Sequence, residues 1–232
     1  MSRSLRVAVR RITRNIFRNV TNTRTHKRII MKFAEKTGLL YFGAVDQHTD
    51  DHRIVRGFTV SSSHQDNHYS VGSVGGYNTT LVDRSDVVWQ PDGSIAMYNW
   101  LIMAFDLHTK QDTPHFFLGA NNHSSKPYET FFTTFPTMKK VNLGTFETYS
   151  PEFTSRFSIY TQPSASIEVE RLLPASAARV LGAHFWPLSV ELHEGILYIY
   201  SDDKRVTSNS LETMLESGLW LADHLDTQIE LI

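Results

Sequence analysis

The clearest pattern of hydrophobic and polar positions lies in residues 153–200. Alternating residues predict a strand that begins at Phe153. Two short apolar stripes follow and predict two helices. The first is capped by Ser164 or Ser166, and the second has Pro174 in its first turn, where the missing N–H needs no partner.

A β-hairpin and a long helix are predicted for the rest of the C-terminal block. In residues 188–200 apolar and polar positions alternate, which predicts one buried face and one face in water. Glu194 and Gly195 are the expected two-residue turn between the two strands. Ser208 or Asn209 is expected to cap the last helix, whose apolar stripe is formed by Leu211, Leu215, Ala222 and Leu225.

The middle of the chain is rich in strand patterns. Candidate strands cover residues 39–45 and 53–60, and the sequence QPDG at 90–93 is a strong turn signal. Over residues 95–107 the odd-numbered and the even-numbered positions are both largely apolar, which predicts a central strand covered on both faces. Residues 114–120 are expected to be its antiparallel neighbour.

These elements predict an α+β fold, in which an antiparallel sheet is strongly bent or forms a partial barrel and helices flank it at both termini. The predicted organisation is a basic helical arm at residues 1–37 and a single domain at residues 38–232. Hydrophobic residues make up 41% and charged residues 20%, as in ordinary globular proteins. No apolar run approaches the roughly 20 residues of a membrane helix.

The N-terminal arm departs from this ordinary composition. Its first 34 residues carry ten Lys/Arg and no Asp/Glu, leaving 13 of the 23 basic residues and all 24 acidic ones for the rest. Leu5, Val9, Ile12, Ile16 and Val20 recur at helical spacing and predict an amphipathic helix. Its cationic contact residues would be Arg3, Arg6, Arg10, Arg11, Arg14 and Arg18.

A second helix is predicted to follow in the arm. Ile29, Ile30, Phe33 and Ala34 would face inward, and Gly38 would end the helix.

Three kinds of partner fit a basic amphipathic arm. The apolar stripe could enter the headgroup region of an anionic membrane while the arginines contact lipid phosphates. The arginines could instead neutralise the phosphates of nucleic acid. The arm could also dock on a protein partner or on the acidic body of its own chain. The apolar face is aliphatic and offers few aromatic rings for base stacking, which suits lipid or protein better.

The sequence assigns no catalytic residue, metal or cofactor. Histidines and aspartates concentrate in residues 46–68, but the sequence HQDNH lacks the glutamate of the zincin motif and is predicted to lie in a loop. Gly72, Gly75 and Gly76 lack the spacing of a dinucleotide fingerprint and predict a bulge or tight turn. No serine lies in a G-x-S-x-G elbow, and there is no P-loop. The chain has no cysteine, which excludes disulfides and thiolate chemistry and favours a cytoplasmic protein.

The C-terminal block resembles a bacterial family catalogued as domain of unknown function 3137. The resemblance covers about the last 80 residues and is carried by Phe153, Phe157, Tyr160, Arg171, Leu172, Leu173, Pro174, Gly195, Leu197, Tyr198 and Ile199. The sequence TPHFFLGANN also resembles a strand upstream of that block in related bacterial proteins. These are packing and turn residues, so the resemblance implies a fold and no functional site. Family members often have hydrophobic membrane segments, and here the basic arm stands in their place.

The sequence therefore favours a non-enzymatic bacterial interaction protein. Its expected position is cytoplasmic, with peripheral attachment to the inner membrane surface as the hypothesis drawn from the arm. Nucleic-acid binding through the arm is the alternative. A metal-dependent hydrolase using residues 46–68 is the third hypothesis.

Overall fold

The computed structural model describes most of the chain from residue 24 onward. The described residues are 24–45, 57, 64–89, 94–109, 112–121, 137–142, 149–202 and 206–231. The predicted helix before residue 24, the turn at 90–93 and, apart from Gly57, the predicted strand at 53–60 lie outside them.

Helices stand at both ends of the described chain, and strands fill its middle. The elements are α1 (Arg24–Thr37), β1 (Leu40–Val45), β2 (His64–Val74), β3 (Tyr77–Trp89), β4 (Ile95–Asp106), β5 (Phe116–Ala120), β6 (Lys139–Val141), α2 (Pro151–Arg156), β7 (Phe157–Thr161), α3 (Ser166–Leu172), α4 (Ala175–Val180), β8 (Ser189–His193), β9 (Ile196–Ser201) and α5 (Ser208–Glu230). None of these described helices is long and apolar enough to cross a membrane.

The described strands form one sheet in the order β1-β2-β3-β4-β9-β8-β5-β7-β6. Every pairing in it is antiparallel. The order begins at β1 and ends at β6, so the sheet is open. The predicted α+β class, with an antiparallel sheet and helices at both termini, is confirmed.

Strand β4 is the centre of the fold, as its sequence predicts. Its neighbours are β3 and β9. Leu101 and Phe105 belong to a large hydrophobic cluster on one face, whereas Trp100 and Ile102 belong to a second cluster on the other face. Because side chains alternate between the faces of a strand, apolar residues at both parities stabilise β4 by burial on both sides.

Two hairpin turns occur where their residues predict them. Gly75 and Gly76 join β2 to β3 with φ of 60° and 92°, and Glu194 and Gly195 join β8 to β9 with φ of 51° and 71°. Positive φ at both central residues is the geometry of a type I′ turn, whose twist matches that of the paired strands.

The predicted pairing of β5 with β4 is wrong. Strand β5 lies between β8 and β7, and the β8–β9 hairpin separates it from β4. Sequential strands often pair, but both strands of this hairpin are buried on both faces. A strand in the interior of a sheet needs a hydrogen-bonded partner strand on each side. The β8–β9 hairpin obtains these partners by lying between β4 and β5.

The predicted strand from Phe153 is also wrong in its first residues, because 151–156 form α2. The Phe153 N–H donates to Ser150 Oγ over 3.3 Å, and Pro151 occupies the first turn. A serine cap followed by proline favours a helix start, and this local preference outweighs the alternation. The strand itself begins at Phe157.

Helix α5 begins one residue earlier than predicted, with Thr207 as its cap in place of Ser208 or Asn209. The Ser210 N–H donates to Thr207 Oγ1 over 3.0 Å, and the Thr207 N–H donates to Ser210 Oγ over 2.9 Å. This reciprocal pair is a capping box. The cap of α3 is Ala165, which ends a 3-10 turn and makes no side-chain cap bond, so the predicted serine cap is wrong.

The helices from the two chain ends pack on one face of the sheet. Helix α5 contacts β4 and β9, and α1 contacts β1, β2 and α5. Ile30 and Phe33 of α1 are buried in the same cluster as Leu221 and Leu225 of α5. The N-terminal helix of the described chain is therefore part of the main core.

Helix α5 comes closest to the sheet at Gly218. A Cβ at this position would lie 2.1 Å from the ring of Phe105 on β4. That separation is far below van der Waals contact, so the packing of α5 on β4 depends on the missing side chain.

Gly218→Ala is therefore expected to destabilise the fold by roughly 1–3 kcal/mol, because the added methyl overlaps the buried Phe105 ring. At an ordinary helix position this change would stabilise by about 1 kcal/mol. Thermal unfolding measures the difference, with the exposed Glu216→Ala in the same helix as control. A Gly218→Ala variant as stable as the parent would contradict the close packing.

Candidate functional site

Helix α1 presents a basic surface because its apolar residues are directed inward. Ile30, Phe33 and Ala34 are buried, as the sequence predicts, and Ile29 packs partly against the same core. The exposed ionisable side chains on the helix are Arg24, Lys27, Arg28, Lys32, Glu35 and Lys36. Five cations therefore share this surface with one carboxylate.

The end of α1 leads the chain directly into the outermost strand. The helix ends at Gly38, as predicted, with φ of 79°. The Leu39 N–H donates to the Ala34 carbonyl over 2.9 Å, which is the long-range bond of a Schellman motif. Leu39 is buried beneath this turn, and β1 begins at the next residue. Helix and strand are therefore held at a fixed, close separation.

Strand β1 leaves large apolar side chains in solvent. Leu40 is 65% exposed, and Phe42, which lies where the register with β2 shifts, is 60% exposed. Met31 on the adjoining helix is 42% exposed. Side chains of this size are usually scattered singly on a surface, so three of them beside a basic helix point to an interaction surface.

A groove of about 580 Å³ lies between α1 and β1, and we refer to it as the basic groove. It is lined by Arg24, Lys27, Arg28, Met31, Lys32, Ala34, Glu35, Leu39, Leu40 and Tyr41. The cations stand on the helix side, and apolar side chains form the strand side. The basic groove therefore combines positive charge with an apolar surface within one concave site.

Tyr41 is held in the groove by a residue of the second strand. Its Oη lies 2.8 Å from Nδ1 of His68, and the two rings stack with centroids 6.1 Å apart. His68 has φ of 56° and lies where the register of β2 shifts between Asn67 and Ser70. Burial raises the pKa of Tyr41, so the phenol stays neutral near neutral pH.

The opposite face of the sheet carries a buried ion pair. Arg84 donates from Nε to Asp66 Oδ1 over 2.7 Å and from Nη2 to Asp66 Oδ2 over 2.8 Å, and neither side chain is exposed. Burial acts to lower the pKa of Arg84, but the hydrogen bonds and charge of Asp66 raise it above its usual value. The two parallel hydrogen bonds join the planar guanidinium to both carboxylate oxygens, so each charge has its counter-ion and hydrogen-bond partners.

A second buried cluster centres on Glu191 of β8. Its Oε1 lies 2.6 Å from His115 Nε2, and its Oε2 accepts from Tyr200 Oη over 2.5 Å. Burial, with the charge and hydrogen bond of Glu191, raises the pKa of Tyr200 well above its ordinary value. The predicted water-exposed face of the 188–200 hairpin is thus wrong, because Glu191 and Ser189 are both buried.

Gly57 covers the Glu191 cluster. A Cβ on Gly57 would lie 2.2 Å from Tyr200 Oη and 2.3 Å from Glu191 Oε2. Backbone therefore lies directly against these two groups. Charged and polar side chains that are buried in this way satisfy one another inside the protein, so we interpret this layer as structural and the basic groove as the candidate functional site.

The histidine-rich region contains no metal site in the part of the chain that the structure describes. The sequence HQDNH lies in β2, so its predicted loop is wrong. Its Asp66 is already committed to Arg84. Apart from Gly57, residues 46–63 lie outside the described residues, and a hydrolase using the whole region stays a prediction.

The six predicted contact arginines, Arg3, Arg6, Arg10, Arg11, Arg14 and Arg18, lie outside the described residues. The structure instead adds contact residues that sequence reasoning missed, above all Leu40 and Phe42. Their signal was the apolar strand pattern that directly follows the basic run. Which face of an edge strand stays exposed depends on the order of the strands in the sheet. The pattern of hydrophobic residues alone does not reveal that order.

The comparisons with known proteins show a shared fold. No family model matches the sequence, and no curated relative matches it. The structure is similar to the crystal structure of the mycobacterial trehalose monomycolate transport factor A, TtfA, with a TM-score of 0.56 and 8% sequence identity. The alignment covers 89% of this chain and 96% of that chain. At this identity the likeness shows the fold alone.

Asp83 is a buried carboxyl group on β3, opposite Asn67 of β2 and Leu101 of β4. Burial, and secondly the negative charge of Asp66, raise the pKa of Asp83 to about 7. The folded protein therefore binds a proton here that the unfolded chain releases near pH 4. Stability from this group is fully present below pH 4 and is lost as the pH rises towards 7.

Asp83→Asn is expected to stabilise the protein at pH 8 by up to about 4 kcal/mol, because it removes a buried carboxylate whose pKa is raised to about 7. Near pH 4, where Asp83 is protonated in the folded state, the gain should disappear. Urea unfolding at both pH values measures the difference, with the exposed Asp106→Asn on β4 as control. A pH-independent difference would contradict the raised pKa.

Proposed function

We propose that this chain is a non-enzymatic interaction module that attaches peripherally to an anionic membrane surface through the basic groove and the N-terminal arm. The observation that carries the proposal is that exposed Met31 and Leu40 line the same groove as four cations of α1, with exposed Phe42 following on the same strand. The membrane concerned would be the inner membrane of a bacterium, at its cytoplasmic face.

Electrostatic attraction provides the first part of the binding energy. Each Lys or Arg close to an anionic leaflet contributes about 1 kcal/mol. Arg24, Lys27, Arg28 and Lys32 all line the groove, with Glu35 as the one carboxylate among the lining residues. Lys36 is engaged elsewhere, since its Nζ lies 2.6 Å from Oε1 of Glu212 on α5. Attraction from α1 is therefore a few kcal/mol, which gives reversible attachment.

The apolar side chains provide the second part. Met31, Leu40 and Phe42 are solvated in the free protein, and insertion below the lipid phosphates would remove their surface from water. Nucleic acid could stack a base on Phe42 but would leave the aliphatic Met31 and Leu40 solvated. The combination of charge and exposed apolar area therefore favours lipid over nucleic acid.

The arm would strengthen this attachment. Its predicted apolar stripe and its six arginines precede α1 directly in the sequence. Stable peripheral attachment generally requires two weak signals acting together, and the arm and the basic groove would be those two signals.

The relatives are compatible with a binding role. TtfA is by its name a transport factor, which is consistent with a non-enzymatic role for this chain. The resemblance of the C-terminal block to domain of unknown function 3137 also stays a proposal. Its members' membrane segments would correspond in role to the arm and groove of this chain.

Vesicle flotation of the full-length chain tests the proposal. Lys27→Glu combined with Arg28→Glu should weaken binding to phosphatidylglycerol-containing vesicles at least tenfold, since two attractions of about 1 kcal/mol each become repulsions. The matched control is Lys139→Glu with Lys140→Glu, which makes the same charge change on the exposed outer strand β6 at the other edge of the sheet. That control should bind almost as well as the parent.

The arm is tested separately by changing its six arginines to glutamine in the full-length chain. Deletion should not extend past residue 23, because α1 is part of the core and its loss would unfold the domain.

Equal flotation of the parent and the Lys27/Arg28 variant would contradict the proposal. Loss of RNA binding without loss of vesicle binding in that variant would favour the nucleic-acid alternative.

A further inference from the structure

The basic groove is open to solvent and has a volume of about 580 Å³, within the roughly 300–1,000 Å³ of ordinary ligand sites. The volume is therefore sufficient for part of a single small molecule. The chemistry of the two walls indicates which kind of molecule that is.

The charges of the groove indicate a ligand with an anionic group. Arg28 and Lys32 lie one helical turn apart on α1, and both line the groove. Cations at this spacing can donate to one phosphate together, and an arginine can bind it through two parallel hydrogen bonds.

The other wall indicates that the same ligand has an apolar part. Met31 and Leu40 line the groove and are exposed, and buried Leu39 and half-buried Tyr41 also line it. Tyr41 is fixed by its contact with His68, so this wall is preorganised. A free phosphate ion would leave this apolar surface in water.

Other occupants fit less well. A partner strand added to β1 would need a regular edge, but Gly43 has φ of 80° and two register shifts interrupt the ladder of β1. The part of the chain's own arm that precedes α1, residues 1–23, carries six arginines and no acidic residue, so the cations of the groove would repel it.

We infer that the basic groove binds one anionic phospholipid, with its phosphate on the cations of α1 and the start of an acyl chain along Met31, Leu39 and Leu40. This inference rests on the proposed function and makes it more specific. Membrane attachment alone requires only attraction to a surface, whereas this site would hold an individual lipid molecule.

Short-chain lipid below its micelle concentration separates the two ideas, because no bilayer is present. Titration of the full-length protein with dihexanoyl phosphatidylglycerol, followed by calorimetry, should show saturable one-to-one binding. Dihexanoyl phosphatidylcholine and glycerol phosphate should each bind at least tenfold more weakly, since the first lacks net negative charge and the second lacks acyl chains.

Two pairs of substitutions test the two halves of the site. Arg28→Gln with Lys32→Gln should weaken binding of the short-chain lipid at least tenfold, and Met31→Ser with Leu40→Ser should weaken it about fivefold or more. The control pair is Ile167→Ser with Leu231→Ser, which removes apolar side chains that are at least as exposed but lie outside the groove, and it should have no effect. Circular dichroism checks that every variant is folded.

Each outcome decides a different question. No saturable binding of the monomeric lipid, with vesicle flotation intact, would overturn the inference and leave the proposed function standing. Absence of both would overturn both. Equal affinity for the phosphatidylglycerol and phosphatidylcholine forms, or binding that neither groove pair weakens, would also overturn the lipid site.

Discussion

The ion pair between Arg84 and Asp66 is the constraint on which the N-terminal half of the sheet depends. A buried guanidinium without its counter-ion costs several kcal/mol, so β2 must adopt the register that sets Asp66 opposite Arg84. A slip of one residue would move Asp66 to the other face. Strand β2 then contains one extra residue near His68, and this bulge sets Ser70 opposite Leu81. Both residues lie on the face of the sheet that the helices cover. The same bulge supplies the contact that holds Tyr41 in the basic groove.

The fold was predictable where local and tertiary preferences agree. Apolar residues at both parities of β4 required burial on both faces, and Glu194 and Gly195 suited a two-residue turn between alternating strands. Prediction failed where two local signals competed. The residues from Phe153 onward alternate like a strand, but the serine cap and Pro151 make residues 151–156 helical.

Long-range placement was the part that the sequence did not reveal. The burial of Glu191 depends on His115 and Tyr200, which come from two other strands, so its alternation resembled that of a water-exposed face. The basic groove was missed for the same reason. Its cations were evident from the composition of the arm, whereas the exposure of Leu40 and Phe42 follows from the position of β1 at the edge of the sheet.

The position of the groove at one edge of an open sheet would also set the orientation of the molecule. Helix α1 is part of the core, so a protein attached there could not tilt freely about its arm. Eight strand spacings of about 4.8 Å separate β1 from β6. The sheet would then extend away from the bilayer, with its far edge up to roughly 40 Å from the lipid. Other proteins could contact that edge.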